Sequence, residues 1–383
     1  MSLNIHIYPS AFKNESRILK LTKSLAENRI FERILIVGVL EEGVCKSEFL
    51  DERRQVIRLP RTIGGSRNGW VSKAIIAFEW NWRLLFALRE KKADCINCHS
   101  LSVLPVCVIL KFLCGAKLIY DTHELETEST GSHGLRKVLS KLVERSLIGF
   151  ADVVIVVSES ISDWYRNTYR LSSVPVIRNV ASCPPIFPHG KDDYLRRKFH
   201  ISKEAIVFLY LGVLAGGRGV EILLDAFSRT KTNSHMIFMG YGNLVDKIKE
   251  YEQQFSNIHF HPAVPPEHIG KHLSGADVGV SLIENVCLSY YYSLPNKLFE
   301  YLSYGMPVLA SCFPEMEKII KENDCGWCAR VEIEAITILL ETLTREEIER
   351  KRNNAVECRC KYDWSVEEKI LLDTYTNLFA SKL

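Results

Sequence analysis

The strongest constraint on what this chain can fold into is its rhythm. Short apolar runs alternate with longer amphipathic stretches almost from end to end. Candidate strands Ile5–Tyr8, Ile34–Val37, Val56–Leu59, Cys95–Asn97, Lys117–Tyr120 and Val153–Val157 are separated by helical patterns such as Ser16–Ala26, Leu101–Cys114 and Arg136–Gly149. Strands spaced by helix-length segments pair in parallel, with helices covering both faces, so the fold class is α/β with a doubly wound sheet. The rhythm then restarts with Ile206–Leu211, His235–Met239, Ile258–His261, Val278–Leu282 and Val308–Ser311. Between the halves, the prolines and glycine of Val174–Gly190 forbid a long helix and suit an interdomain connection. The expected division is a domain over 1–185 and a second over 186–365, with an amphipathic helix over 366–383.

A chain of 383 residues has length for two sizeable cores, and 47% hydrophobic with 25% charged residues is ordinary for a globular protein. A net charge of +3, without a dense Lys/Arg run, gives no footprint for nucleic acid. The start of the sequence lacks a charged segment leading into an apolar one, so no signal peptide is expected. Leu101–Cys114, the longest apolar run, is interrupted by Ser102 and Lys111 and is too short to cross a bilayer. A cytoplasmic location follows as the default expectation. Of the 12 cysteines, Cys107, Cys114 and Cys287 lie within apolar runs and read as small hydrophobes. Cys95–Cys98–His99, Cys325–Cys328 and Cys358–Cys360 have spacings that metals use, but none pairs with a second half at zinc-site spacing. They are expected to be structural.

Five segments carry chemistry. Ser293–Ser311 (SLPNKLFEYLSYGMPVLAS) reads as a helix, a stop at Gly305–Met306–Pro307, and a buried strand. Asn296 and Glu300 share one helical face, and Leu298 and Leu302 the opposite one. The helix N-terminus offers unpaired N–H groups to a phosphate, and Glu300 could accept hydrogen bonds from sugar hydroxyls. Tyr210–Phe227 is a strand, a loop with Gly216, Gly217, Arg218 and Gly219, and an amphipathic helix; glycines let backbone approach a ligand, and Arg218 is placed to meet a diphosphate. Phe238–Gly242 and Asn257–Val264 are strands that run into tight turns. Leu118–Glu124 (LIYDTHE) ends a strand in a polar cluster, the place where such folds put ligand-contacting side chains.

Taken in this order, these motifs resemble the retaining glycosyltransferases of family 4 (group 1), of the polysaccharide-biosynthesis type, and the likeness spans nearly the whole chain. The resemblance implies a GT-B fold, two Rossmann-like domains facing a central cleft, with the last helix crossing back onto the first domain. It implies transfer of a sugar from a nucleotide-diphosphate donor, with UDP favoured over GDP. The acceptor would be a hydroxyl, in the setting of a lipid-linked glycan of bacterial surface polysaccharide. No cofactor and no metal are implied. Donor-binding positions would be Gly216, Gly217, Arg218, Gly240, Val264, Ser293, Leu294, Asn296, Lys297 and Glu300. Arg17, Asp121, His123 and Glu124 would line the acceptor side, and His123, Arg218 and Lys297 would carry the catalysis.

Two departures matter. Val213 stands where relatives often have a second basic residue, which shifts that role to Lys297, and Tyr292 stands where the family's first glutamate contacts the sugar. These two positions also favour a rival reading, a catalytically inactive partner subunit; a nucleotide-sugar epimerase of the same fold is the other. Trp70–Lys92 mixes aromatics and cations on a helical period, which suits either packing on the sheet or peripheral contact with the cytoplasmic face of the inner membrane.

Overall fold

The structure is a computed structural model that describes residues 2–13, 15–61, 70–183 and 194–380. The expected boundary near residue 185 lies outside those residues, as do the last three positions of the expected final helix. The chain divides into two compact units. The first is Met1–Arg178 with Glu368–Leu383, and the second is Asn179–Glu367.

In the first unit the strands are β1 (Leu3–Ile7), β2 (Arg33–Val39), β3 (Ser47–Phe49), β4 (Arg54–Leu59), β5 (Cys95–Cys98), β6 (Lys117–Asp121) and β7 (Val153–Ile155). They form a seven-stranded sheet in the order β3-β4-β2-β1-β5-β6-β7, parallel except for β3. Its helices are α1 (Ser16–Glu27), α2 (Trp70–Leu88), α3 (Leu104–Cys114), α4 (Gly134–Leu147) and α5 (Glu159–Tyr169). Strand order reverses between β1 and β5, so the loops after these strands and after β6 meet where a ligand is expected in this topology.

Two features of this unit were not expected. β1 and β5 are buried yet carry polar residues at alternate positions: Asn4 and His6 on one, Asn97 on the other with His99 just beyond it. Period-two geometry puts them on one face of the sheet. Helix α4 is also turned contrary to the usual rule. Leu135, Val138, Leu139 and Leu142 lie at helical spacing but face solvent, while Glu144 is fully buried. Its carboxylate accepts hydrogen bonds from the hydroxyls of Tyr120, Tyr165 and Tyr169, which satisfies a charge that burial would otherwise make costly.

The second unit has strands β8 (Ile206–Val213), β9 (Ser234–Tyr241), β10 (Ile258–Pro262), β11 (Val278–Ser281), β12 (Val308–Ser311) and β13 (Gly326–Ala329). They form an all-parallel sheet in the order β10-β9-β8-β11-β12-β13. Helices α6 (Tyr194–Lys198), α7 (Val220–Arg229), α8 (Val245–Gln254), α9 (Pro266–Ser274), α10 (Leu288–Tyr291), α11 (Asn296–Ser303), α12 (Pro314–Asn323), α13 (Ile333–Thr342) and α14 (Arg345–Cys358) surround it. The last helix, α15 (Trp364–Ala380), carries the chain from the second unit into the first, where Leu371 and Tyr375 are buried.

Candidate functional site

In the second unit the switch in strand order falls between β8 and β11, and the loops leaving both strands are tied together. Glu284, after β11, accepts a hydrogen bond from the Gly219 N–H (3.1 Å), and its own N–H donates to the Gly217 carbonyl (3.0 Å). Gly219 has φ +70°, and a Cβ there would stand 2.7 Å from Leu282, so only glycine fits. Gly216 faces open space and Arg218 lies 5.7 Å over the Tyr290 ring. The loop is therefore a fixed backbone cradle with its arginine at the rim.

Helix α11 supplies the opposite wall. Leu298, Phe299, Tyr301 and Leu302 bury one side, and the Tyr301 hydroxyl accepts from Leu211 N–H (2.9 Å) and donates to the Val280 carbonyl (3.1 Å). That bolt fixes the helix against β8 and β11. No side chain caps its N-terminus, where Asn296 is exposed. Ser293 is turned away, its hydroxyl donating to the Tyr290 carbonyl (2.7 Å), and Leu294 is buried. Lys297 bends back over Tyr210, its ammonium 3.4 Å from the ring centroid. Burial of the ammonium pushes its pKa well down, the neighbouring Arg218 adds to this, and Glu300 opposes it. Arg218, Lys297 and Glu300 are thus brought into one electrostatic cluster. Val264 lies half-buried in the loop between β10 and α9. Gly240 has a structural explanation of its own: it pairs with Gly212 across β8 and β9, and a Cβ would fall 1.8 Å from the Gly212 carbonyl oxygen.

In the first unit, Asp121 closes β6 and His123 follows it. Arg17, expected on the acceptor side, is buried beside Asp121. It is 4% exposed, because its guanidinium grips both oxygens of Asp121 (2.6–3.2 Å) and donates to the Ile177 carbonyl. A buried carboxylate demands such a partner. Burial pushes the Asp121 pKa up, but the Arg17 guanidinium, helped by His123, outweighs it and holds the carboxyl well below its usual range. Asp121 is also 3.1 Å from His99 Nδ1 and 3.7 Å from His123 Nε2. His99, which sequence reasoning passed over inside a cysteine spacing, is the residue that completes the cluster. Cys95 and Cys98 lie three residues apart on β5, on opposite faces, so that spacing gathers no ligand set.

Among the described residues, His99, Asp121 and His123 are the one group with ligating atoms close enough (within 4.8 Å) to share a metal. Both Asp121 oxygens are already engaged by Arg17, which makes the group an ion-paired hydrogen-bond cluster. His123 is partly exposed beside the Tyr8 ring (5.3 Å), and Glu124 is exposed. A cavity of about 470 Å³ opens near this cluster, with Leu101, Pro105, Leu139 and Val143 among its apolar walls and Glu126, Ser132 and Arg136 as polar ones. Burial raises Glu126 to about 7, although the Leu101 N–H and Ser100 hydroxyl donate to it.

Two family descriptions divide the chain between them. Residues 18–181 match "Glycosyltransferase Family 4" and residues 191–357 match "Glycosyl transferases group 1". A lipopolysaccharide 1,2-N-acetylglucosaminetransferase of Salmonella typhimurium is 26% identical over 106 residues, a stretch covering 26% of this chain and only 28% of that relative. Among solved structures, sucrose-phosphate synthase from Thermosynechococcus elongatus superposes with a TM-score of 0.81 at 15% identity, covering 100% of both chains. HepE from Anabaena, solved with UDP-glucose, gives 0.73 at 15% identity over 98% of this chain and 100% of its own. WaaG, a glycosyltransferase involved in lipopolysaccharide biosynthesis, gives 0.71 at 13% over 98% and 99%. With two parallel-sheet units, a glycine-cradled loop and these likenesses, the chain belongs to the group 1 glycosyltransferases of GT-B fold.

Proposed function

We propose that this glycosyltransferase moves a sugar, with retention of its anomeric configuration, from a UDP-linked donor to a hydroxyl of a lipid-linked glycan in bacterial surface-polysaccharide synthesis. The observation that carries the reading is the grouping of Arg218, Lys297 and Glu300 beside the Gly216–Gly219 loop and the uncapped start of α11. Cations beside a helix N-terminus stabilise charge growing on a departing diphosphate without a metal. Lys297 takes over the role left open by Val213, and Glu300 binds the ribose hydroxyls. Backbone N–H groups near Ser293 and Leu294 hold the sugar in place of the glutamate that Tyr292 replaces. His123 contacts the sugar and acceptor. HepE, solved with UDP-glucose, supports the choice of base. Same-face attack, with the leaving phosphate assisting deprotonation of the acceptor, completes the reading.

Peripheral attachment to the inner membrane's cytoplasmic face is part of the same proposal. Helix α3 packs between α2 and α4. The three expose Phe78, Trp82, Phe112, Leu113, Leu135 and Val138, each more than half exposed. No described helix is long and apolar enough to cross a membrane. Exposed apolar and aromatic side chains on adjoining helices suit insertion at a lipid surface.

Calorimetric titration with UDP, GDP, ADP, CMP and their common sugar conjugates tests the donor assignment. UDP and one UDP-sugar are expected to bind wild type, with Arg218→Ala and Glu300→Ala each losing ~10-fold or more in affinity. Failure of every nucleotide to bind overturns the transferase reading; donor binding without turnover on any acceptor favours the partner-subunit reading suggested by Val213 and Tyr292.

A further inference from the structure

Behind His123 runs a hydrogen-bonded seam whose proton order can be counted. The Asn4 carboxamide nitrogen donates to Asn97 Oδ1 (2.7 Å) and to the Cys95 carbonyl (3.3 Å), so its oxygen faces His6 Nε2 as an acceptor (2.5 Å). Asn97 in turn donates to the Tyr375 hydroxyl on α15. A neutral His6 therefore carries its proton on Nε2 and offers Nδ1 to His99 Nε2–H, 2.9 Å away. A neutral His99 is then left with a bare Nδ1. That atom lies 3.1 Å from Asp121 Oδ2 and 3.2 Å from His123 Nε2. A lone pair, a carboxylate oxygen and a second ring nitrogen cannot converge without a proton among them. Arg17 supplies none, because its guanidinium binds Asp121 and the Ile177 carbonyl. The remaining donor is His123 itself.

We infer that His99 is a positioning residue that fixes His123 as its Nε2–H tautomer, so that His123 turns a bare Nδ1 toward substrate and accepts a hydrogen bond from a sugar hydroxyl. Every donor in the seam then points the same way, from His123 through His99, His6, Asn4 and Asn97 to Tyr375, an order in which each bond polarises the next. Burial favours the neutral rings the count requires: it presses His6 well below its ordinary value and His99 to about 4, although Asp121 pulls both upward. Among the described residues the other titratable group against His123 is Tyr8, raised to about 12 by burial and by Glu15, Glu126 and Glu124. It stays a neutral phenol and does not compete for the proton. The inference rests on the proposed contact of His123 with sugar or acceptor, but its proton order does not.

The test is long-range ¹H–¹⁵N spectroscopy on the full chain labelled at histidine, with His6, His99 and His123 assigned by single substitutions. All three rings are expected as Nε2–H tautomers, with His6 and His99 uncharged from roughly pH 5.5 to 8. Asn4→Leu removes the anchor and should leave His99 and His123 as tautomer mixtures, with kcat down ~10-fold and donor KM unmoved. Asn4→Asp instead sets a buried carboxylate against His6 Nε2, which draws a second proton onto that ring; His6 Nδ1–H should then donate to His99 Nε2 and switch His99 to its Nδ1–H tautomer. In wild type, an Nδ1–H ring at His99, or a His99 imidazolium at neutral pH, overturns the inference whether or not the variants fold. Absence of nucleotide binding with the expected tautomers would instead sink the donor reading and leave the seam intact.

Discussion

For Lys297, the helix and the spacing to Glu300 could be read from Asn296–Ser303. Its stacking on Tyr210 could not, since the two lie far apart in the chain. A lysine held down by burial and by Arg218 gains a proton when a diphosphate arrives. UDP binding at alkaline pH should therefore take up protons, seen as binding heats that change with the ionisation enthalpy of the buffer and that lose this dependence in Lys297→Met. Asp121 and His123 were legible on other grounds, as polar residues at the end of an apolar strand. The ion pair of Arg17 with Asp121 was not legible, because the two partners lie on elements far apart in the chain. Glu126 gives a second test. Its folded pKa of about 7 lies above the ordinary 4.5, so its contribution is fully present below pH 4.5 and is lost as pH rises through 7. Glu126→Gln should gain about 2–3 kcal/mol relative to wild type between roughly pH 5 and 8, measured by urea unfolding across pH.

At the scale of elements, strand and helix order followed from hydrophobic period alone, and the two missed strands explain themselves. β3 is a three-residue edge strand with the sequence Ser-Glu-Phe, and β13 starts with glycine and has half-buried residues at its centre. Neither has the apolar run that marks a buried strand. Helix α4 was found by its period, but the period cannot say which way the stripe faces; three tyrosines around Glu144 decide that. The bolt at Tyr301 makes a sharp prediction. Tyr301→Phe removes the acceptor for Leu211 N–H and the donor to Val280, and should cost about 1–3 kcal/mol with the fold retained. Gly279→Ala should cost more, because a Cβ would lie 2.3 Å from the Tyr301 ring, itself fully buried. Thermal unfolding of the two variants orders them, and Gly279→Ala should loosen donor binding as well by shifting α11.

For the whole molecule, the prediction concerns what each unit owns. Leu371, Tyr375 and Leu378 are buried, and Tyr375 and Phe379 meet Phe31 edge-on. Removing residues from 368 onward should lower the stability of the first unit by several kcal/mol, at about 1.5–3 kcal/mol per large apolar side chain. The second unit, with its own core around Phe208, Phe227 and Leu309, should melt unchanged. Calorimetry that shows one shifted and one unshifted transition would support this division. Vesicle flotation addresses the apolar face of α2 to α4: Phe78→Ser with Trp82→Ser and Phe112→Ser should abolish binding to anionic vesicles at low salt and leave UDP affinity alone.

The path of α15 also sets the order in which the protein can come into being. A ribosome releases β1 to β7 first, but the face of their sheet that Tyr375 closes stays open until Asn179–Glu367 has been made. The second unit has all its strands in hand by then and can fold while the first waits. The polar seam of Asn4, His6 and Asn97 is wetted throughout that interval and dries only when the final helix docks. Nascent-chain arrest before and after Tyr375 should thus yield a protease-sensitive first unit in one case and a resistant one in the other, and a truncated translation product would betray itself to quality control by the half that was made earliest.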